Sequence, residues 1–155
     1  MTVGCMAATE QQPGIFDARE GFLGALRGLL LRAATEGTRE LCCLDADFMD
    51  WPWSDAPVLQ ALSDWARPGR RLRLLAGDFS GLLRRHPRFV QWRQIHDHLV
   101  TAATFEPEAL HGVKLASMLL APGAGCVRRF DAQQWRGAWS ADDVDARRTE
   151  HLALD

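Results

Sequence analysis

At 155 residues, 47% hydrophobic and 25% charged, the chain has the length and composition of one globular domain that buries most of its unfolded surface. A net charge of −2 supplies no global basic field toward nucleic acid or an anionic membrane, so nucleic acid is not the expected partner. No apolar run is long enough to span a bilayer, and residues 1–13 lack the basic start and apolar stretch of a secretory signal. Cys5, Cys42, Cys43 and Cys126 show no metal-ligand spacing, so they read as small buried hydrophobes in a reducing, cytoplasmic setting, with no metal and no cofactor expected. Lys114 is the single lysine; an arginine-rich basic set fits bidentate anion recognition and equally a GC-rich coding bias.

Residues 1–14 are small and polar and end in Pro13-Gly14, which predicts a flexible tail ahead of a single domain over residues 15–155. Residues 17–36 carry Phe22, Ala25, Leu26, Leu29, Leu30 and Ala33 at helical spacing, with Asp17 and Glu20 placed as a capping box and Gly37 as the stop. A buried strand follows over residues 39–45. Its neighbours Cys42 and Cys43 must face opposite sides of the sheet and cannot share a disulfide there. Ser54 is placed to cap a second helix, with Pro57 in its first turn and Val58, Leu59, Leu62, Trp65 and Ala66 inward.

Pro68-Gly69 ends that helix, and residues 70–76 form a second strand. Ser80 opens a third helix that Pro87 breaks or kinks before it ends near Val100. Residues 102–106 make a third strand. Residues 113–121 and 126–130 flank Pro122-Gly123-Ala124-Gly125, a hairpin signal, and Ser140 with Asp142 and Asp143 starts a final helix. Helices between the early strands imply right-handed parallel crossovers, hence an α/β fold with a mixed, mostly parallel sheet covered by helices.

The first strand breaks at its carboxyl end into Asp45, Asp47 and Asp50, beside Trp51 and Trp53, and the second ends in Asp78-Phe79. Ligands of open α/β sheets bind at that edge. Asp45, Asp47, Asp50, Trp51, Trp53 and Asp78 are therefore the candidate ligand- or partner-binding residues. Close carboxylates can hold Mg²⁺ or act as an acid/base pair, but aspartate is also the usual cap and turn former where strands give way to helices. Pro52 holds its two tryptophans apart, which predicts one ring at a contact surface and the other in the core; Trp135 and Trp139 are further loop tryptophans.

Arg84-Arg85-His86-Pro87-Arg88-Phe89 and Trp92-Arg93 interleave cations with rings, as single-strand binders do. With an acidic total charge, a solvated helix face with the rings behind it is the expectation. His96 and His98 lie two apart, off a shared helix face, which favours a surface or capping role over metal. Gly77-Asp78-Phe79-Ser80-Gly81 lacks the lysine of a phosphate loop.

Leu41-Cys42-Cys43-Leu44-Asp45, Leu59-Gln60-Ala61-Leu62 and the run Ala66-Arg67-Pro68-Gly69-Arg70-Arg71-Leu72-Arg73-Leu74-Leu75 follow one another as in half of a phospholipase D-like domain. The chain resembles such a half over roughly residues 17–131, in the degenerate form met in small bacterial domains. The resemblance implies a nucleophilic histidine and a phosphate-neutralising lysine two apart, then an aspartate. His111-Gly112-Val113-Lys114 has one residue too many, and Met118 and Leu119 stand where the aspartate belongs. Catalytic residues are therefore not assigned, His111 and Lys114 being the weak candidates. The reading that follows is a non-catalytic binding or assembly module acting on a protein or small ligand, with a homo-oligomer as the expected assembly. The alternative is a phosphodiesterase-like or metal-dependent phosphoryl-transfer enzyme.

Overall fold

The computed structural model describes residues 14–106, 108 and 115–141. In chain order its elements are β1 (Gly14–Phe16), α1 (Arg19–Glu36), β2 (Glu40–Asp45), α2 (Ala56–Trp65), β3 (Arg71–Ala76), α3 (Ser80–Arg85) and α4 (Pro87–Ile95). A 3-10 turn (Asp97–Leu99) leads into β4 (Val100–Thr104), β5 (Ser117–Ala121), β6 (Gly125–Arg129) and β7 (Gly137–Ser140). The fold is α/β, with one mixed seven-stranded sheet in the order β1-β7-β6-β5-β2-β3-β4.

Strand direction corrects the expectation of a mostly parallel sheet. The pairs β2–β3 and β3–β4 are parallel, while β1–β7, β7–β6, β6–β5 and β5–β2 are antiparallel. The parallel part is where helices make the crossovers: α2 joins β2 to β3, and α3 with α4 joins β3 to β4. The antiparallel part is built on the β5–β6 hairpin. There the Ala124 N–H donates to the Ala121 carbonyl, with Pro122 and then Gly123 at φ 87°, the two positions that a type II turn assigns to proline and glycine. Strands β1 and β7 are three and four residues long and carry glycine, too short for an alternation pattern to stand out. Gly14 already belongs to β1, so the strand takes the last residue expected of a tail. The final helix expected after Ser140 lies outside the described residues.

Helix α1 begins at Arg19 rather than Asp17. Its N-cap is Ala18, with no side-chain cap, and Gly37 closes it in the left-handed region at φ 74°, its N–H donating to the Ala33 carbonyl. Ser54 does not cap α2 either; the N-cap is Asp55, whose carboxylate instead takes the Arg27 guanidinium at 2.9 Å. Pro87 splits the third helix into α3 and α4, as its missing N–H demands.

The pleat sorts the sheet residues into two apolar clusters. Leu41, Cys43, Leu72, Leu74, Leu119 and Val127 pack with residues of all four helices, including Leu26, Leu62, Leu82 and Phe89. Cys42, Leu44, Met118, Leu120 and Cys126 form the opposite cluster with Leu115, to which no helix contributes among the described residues. The expected helical cover is thus found on one face. Cys42 and Cys43 point to opposite faces as the strand period requires, and the buried Cys43 thiol is pushed well above its ordinary pKa. Among the described residues no helix is long and apolar enough to cross a membrane.

Both tryptophans after β2 lie in the first cluster, which corrects the expectation that one ring faces outward: Trp51 is 2% exposed and Trp53 0%. A file of rings runs through this core, with Phe22 against Trp51 at 6.3 Å, Trp51 on Trp53 at 5.6 Å, Trp53 on Phe89 at 4.4 Å and Phe89 on Trp92 at 5.7 Å. Among the described residues the indole N–H of Trp53 has no hydrogen-bond acceptor, so size rather than polarity holds this ring in place. Trp53→Ala is expected to cost about 3–5 kcal/mol of unfolding free energy and Trp53→Phe far less. Urea denaturation of the two variants checks this, and a small loss in both would remove the ring from the core's essential parts.

Candidate functional site

Strand β2 is buried along five of its six residues and delivers Asp45 to its carboxyl end, at 7% exposure. The chain then has to turn before α2, and Asp45 makes that turn. Its Oδ2 accepts the backbone N–H of Asp47 at 3.2 Å and of Phe48 at 2.8 Å, and its Oδ1 accepts the hydroxyl of Ser117, a fully buried residue at the start of β5. Burial raises the Asp45 pKa above its ordinary value of 3.8, and the hydrogen bonds from Ser117, Phe48 and Asp47 pull it back. The Trp51 ring also lies close enough to favour the charged form, without a well-formed hydrogen bond.

Phe48 sits in this turn at φ 60°, a left-handed conformation rare for a bulky residue. Its N–H is held by Asp45, and its buried ring packs on Trp51 at 4.9 Å, on Trp53 at 6.1 Å and on Phe79 at 6.2 Å. The turn is closed from outside as well. Asp47 Oδ1 accepts the Met49 N–H at 3.0 Å, and the Ala46 carbonyl accepts the N–H groups of Gly77 and Asp78 at 3.0 and 3.1 Å. The two strand ends that the sequence singles out are therefore joined through backbone rather than through converging carboxylates. Asp78 turns its exposed carboxylate to Ser80, taking the N–H at 3.0 Å and the hydroxyl at 2.9 Å, and these bonds lower its pKa.

His86, at the break between α3 and α4, is the latch of this turn, although the sequence shows it only as one member of the basic run 84–89. It is 6% exposed. Its Nε2–H donates to the Met49 carbonyl at 2.8 Å, and its Nδ1 accepts from the Ser54 hydroxyl at 2.6 Å. Those partners suit the neutral ring, and burial lowers the His86 pKa, with Arg85 adding to the effect.

The outer rim of the turn holds Asp47 and Asp50, both half-buried, and Asp50 pairs with Arg19 at 3.5 Å. Beside it Arg129 is 9% exposed, with Nε and Nη2 donating to the carbonyls of Gln134 and Ala132 at 2.9 and 2.7 Å and its guanidinium 3.9 Å above the Trp135 ring. Burial lowers the Arg129 pKa, and Asp45, Asp50, Asp131 and Asp47 oppose that through space. Trp135 is thus a seat for Arg129, while Trp139 belongs to β7. Among the described residues no three His, Cys, Asp or Glu side chains are grouped to hold a metal ion. His96 caps the end of α4 and lies 4.7 Å from Trp92, and His98 is in the 3-10 turn. His111 and Lys114 lie outside the described residues.

Sequence reasoning located Asp45 and missed its partner Ser117; it also missed Arg129 beside the turn and the pairing of His86 with Ser54, which it read as a helix cap. The one available signal was Ser117 itself, a lone hydroxyl in the apolar run 115–121.

These features define an α/β domain whose strand-end acids are organised as a turn. No protein-family model matches the chain, and no curated protein matches it. Among solved structures it is similar in fold to TrmBL2, an archaeal chromatin protein whose structure shows a novel mode of DNA binding, with a TM-score of 0.59 and 14% sequence identity. The match covers 92% of this chain and 50% of that one, so this chain spans about half the length of TrmBL2. The likeness concerns the fold. It also corrects the expectation drawn from net charge: this fold occurs in a DNA-binding protein, so an acidic total is no ground for setting nucleic acid aside.

Asp45→Asn keeps an acceptor for the two backbone amides and a donor for Ser117, and is expected to stay within about 1 kcal/mol of wild type; Asp45→Ala strands two buried amides and costs about 3 kcal/mol. Urea denaturation separates the two, and equal losses would contradict the assigned bonds. Because the folded pKa of His86 lies below its ordinary 6.5, its share of stability is present above pH 6.5 and is lost as pH falls. Asp45, with a raised pKa, has the opposite sign: its share is full below pH 3.8 and is lost as pH rises through the folded value. Unfolding free energy measured from pH 7.5 down to pH 5 should therefore decline more steeply in wild type than in His86→Gln. Parallel curves would exclude the neutral latch.

Proposed function

We propose that the chain is a non-catalytic binding or assembly module on a degenerate phospholipase D-like half domain, and that DNA is its partner. The observation that carries the non-catalytic reading is the use made of Asp45. The one deeply buried acid of the strand-end group spends both oxygens on the turn and on Ser117. The phospholipase D-like part of the reading is supported by the α/β class, the mixed seven-stranded sheet and the order of its early elements. It is weakened for catalysis by the extra residue between His111 and Lys114.

The DNA part draws on TrmBL2 for its partner class and on local charge for its surface. Arg84, Arg85 and Arg88 are exposed on either side of the α3–α4 break and form no ion pair among the described residues, though Arg84 feels Asp78 through space. The rings that follow them on α4, Phe89 and Trp92, are buried, which removes a base-stacking platform and leaves phosphate contact as the mode. Asp47, Asp50 and Asp78 are the accessible members of the strand-end group and are assigned to a second, protein partner or to register within the assembly.

Fluorescence anisotropy with a labelled duplex tests the reading. Combined Arg84→Ala, Arg85→Ala and Arg88→Ala should weaken binding and reduce the slope of log affinity against log salt by about 2–3, as loss of three phosphate contacts requires. Asp45→Asn should leave binding intact. Salt-independent binding, or none in wild type, would sink the DNA assignment. Phosphodiester hydrolysis that Asp45→Asn abolishes would instead establish the enzyme.

A further inference from the structure

A second concavity lies away from the strand-end turn. A groove of about 720 Å³ runs between α1 and strands β1, β6 and β7, within the range of small-molecule sites. Gly21, Gly24 and Gly28 line it, and their spacing puts them on one side of α1. Among the described residues, a Cβ at Gly24 or Gly28 would meet no atom within 4 Å, so none of them packs against the helix there. The buried Leu29 and Val127 lie beneath, and Trp139 and Ile15 stand at the side; at 86% exposure Ile15 is the most open large apolar residue described.

The groove is charged at one end. Arg32, Thr35 and Glu36 from the last turns of α1 line it there. Arg32 is held by a hydrogen bond from Nη2 to the Ala124 carbonyl, and its Nε lies 3.7 Å from the Glu36 carboxylate. The guanidinium is therefore fixed at the groove end, with one partly exposed carboxylate sharing its charge.

We infer that this groove binds a single-chain amphiphile with an anionic head, a fatty acid, its chain along the glycine side of α1 and its carboxylate on Arg32. From Gly21 to Thr35 the helix advances about 21 Å, a length suited to an extended acyl chain. The apolar lining matches the chain, and the one cation at the end matches the head. A second copy of the chain is the poorer occupant. Fifteen residues line the groove, short of the roughly 20–30 a side that a standard protein interface uses.

The test is displacement of an environment-sensitive fluorescent fatty acid by dodecanoate, with dodecanol as the uncharged control, on the full chain. Wild type is expected to bind both, dodecanoate the more tightly. Gly28→Leu fills open space over the helix, so it should abolish binding of both while leaving the melting temperature unchanged or higher. Arg32→Gln should weaken dodecanoate about tenfold and leave dodecanol unchanged, as loss of a charge-assisted contact predicts. Failure of dodecanoate to displace the probe, or wild-type affinity in Gly28→Leu, overturns the site, and equal affinity in Arg32→Gln overturns the anionic head. A wild-type dimer in sedimentation that Gly28→Leu splits, without dodecanoate binding, assigns the groove to a second copy and overturns the proposal.

Discussion

The structure depends on one buried carboxylate. Asp45 ends a strand that is buried on both faces, and its charged form is costly there, as the raised pKa records. Three hydrogen bonds offset that cost, and each does structural work. Two fix the turn that sends Phe48, Trp51 and Trp53 back into the helical side of the core. The third, from Ser117, ties the parallel strands to the antiparallel ones at the β2–β5 seam. Without Asp45, the N–H groups of Asp47 and Phe48 would lose their acceptor, and the turn that carries Phe48, Trp51 and Trp53 inward would rest on the contacts of its rim alone.

What could be read from the sequence was local. The apolar stripe of α1, its glycine stop, the break at Pro87 and the Pro122-Gly123 turn each rest on residues within a few positions of one another, and each is present. What could not be read was set at long range. A period of two shows that residues alternate between faces but carries no strand direction, so the antiparallel pairs beyond the β5–β6 hairpin were invisible. Asp45 was visible as an acid at a strand end, but its character is set by Ser117 from a strand far along the chain and by burial. Trp51 and Trp53 looked like loop residues because the loop itself folds inward. Asp17 and Ser54 had the right chemistry for caps, but the N-caps fall one residue further along, at Ala18 and at Asp55, whose carboxylate is taken by Arg27.

Net charge is a poor guide to the charged surface for a related reason. A sum over the chain counts Asp45 and Asp55 as negative surface, yet one is buried and the other is paired with Arg27. Meanwhile Arg84, Arg85 and Arg88 remain outside, gathered by a helix break that proline imposes and His86 stabilises. The field that an approaching partner meets is decided by which charges the fold has already used.

The pairing of β1 with β7 has a consequence for how the sheet comes together. Gly14 lies opposite Trp139, so the outermost ladder joins residues from opposite ends of the described chain, while β5 and β6 meet across a tight hairpin. Closing the largest loop carries the largest entropic cost, and that cost returns only once the intervening strands are in place. The edge bearing Ile15 is then the last ladder to zip and the first to open, and local opening, as amide exchange would record it, should begin at β1 while the strands around Asp45 stay shut.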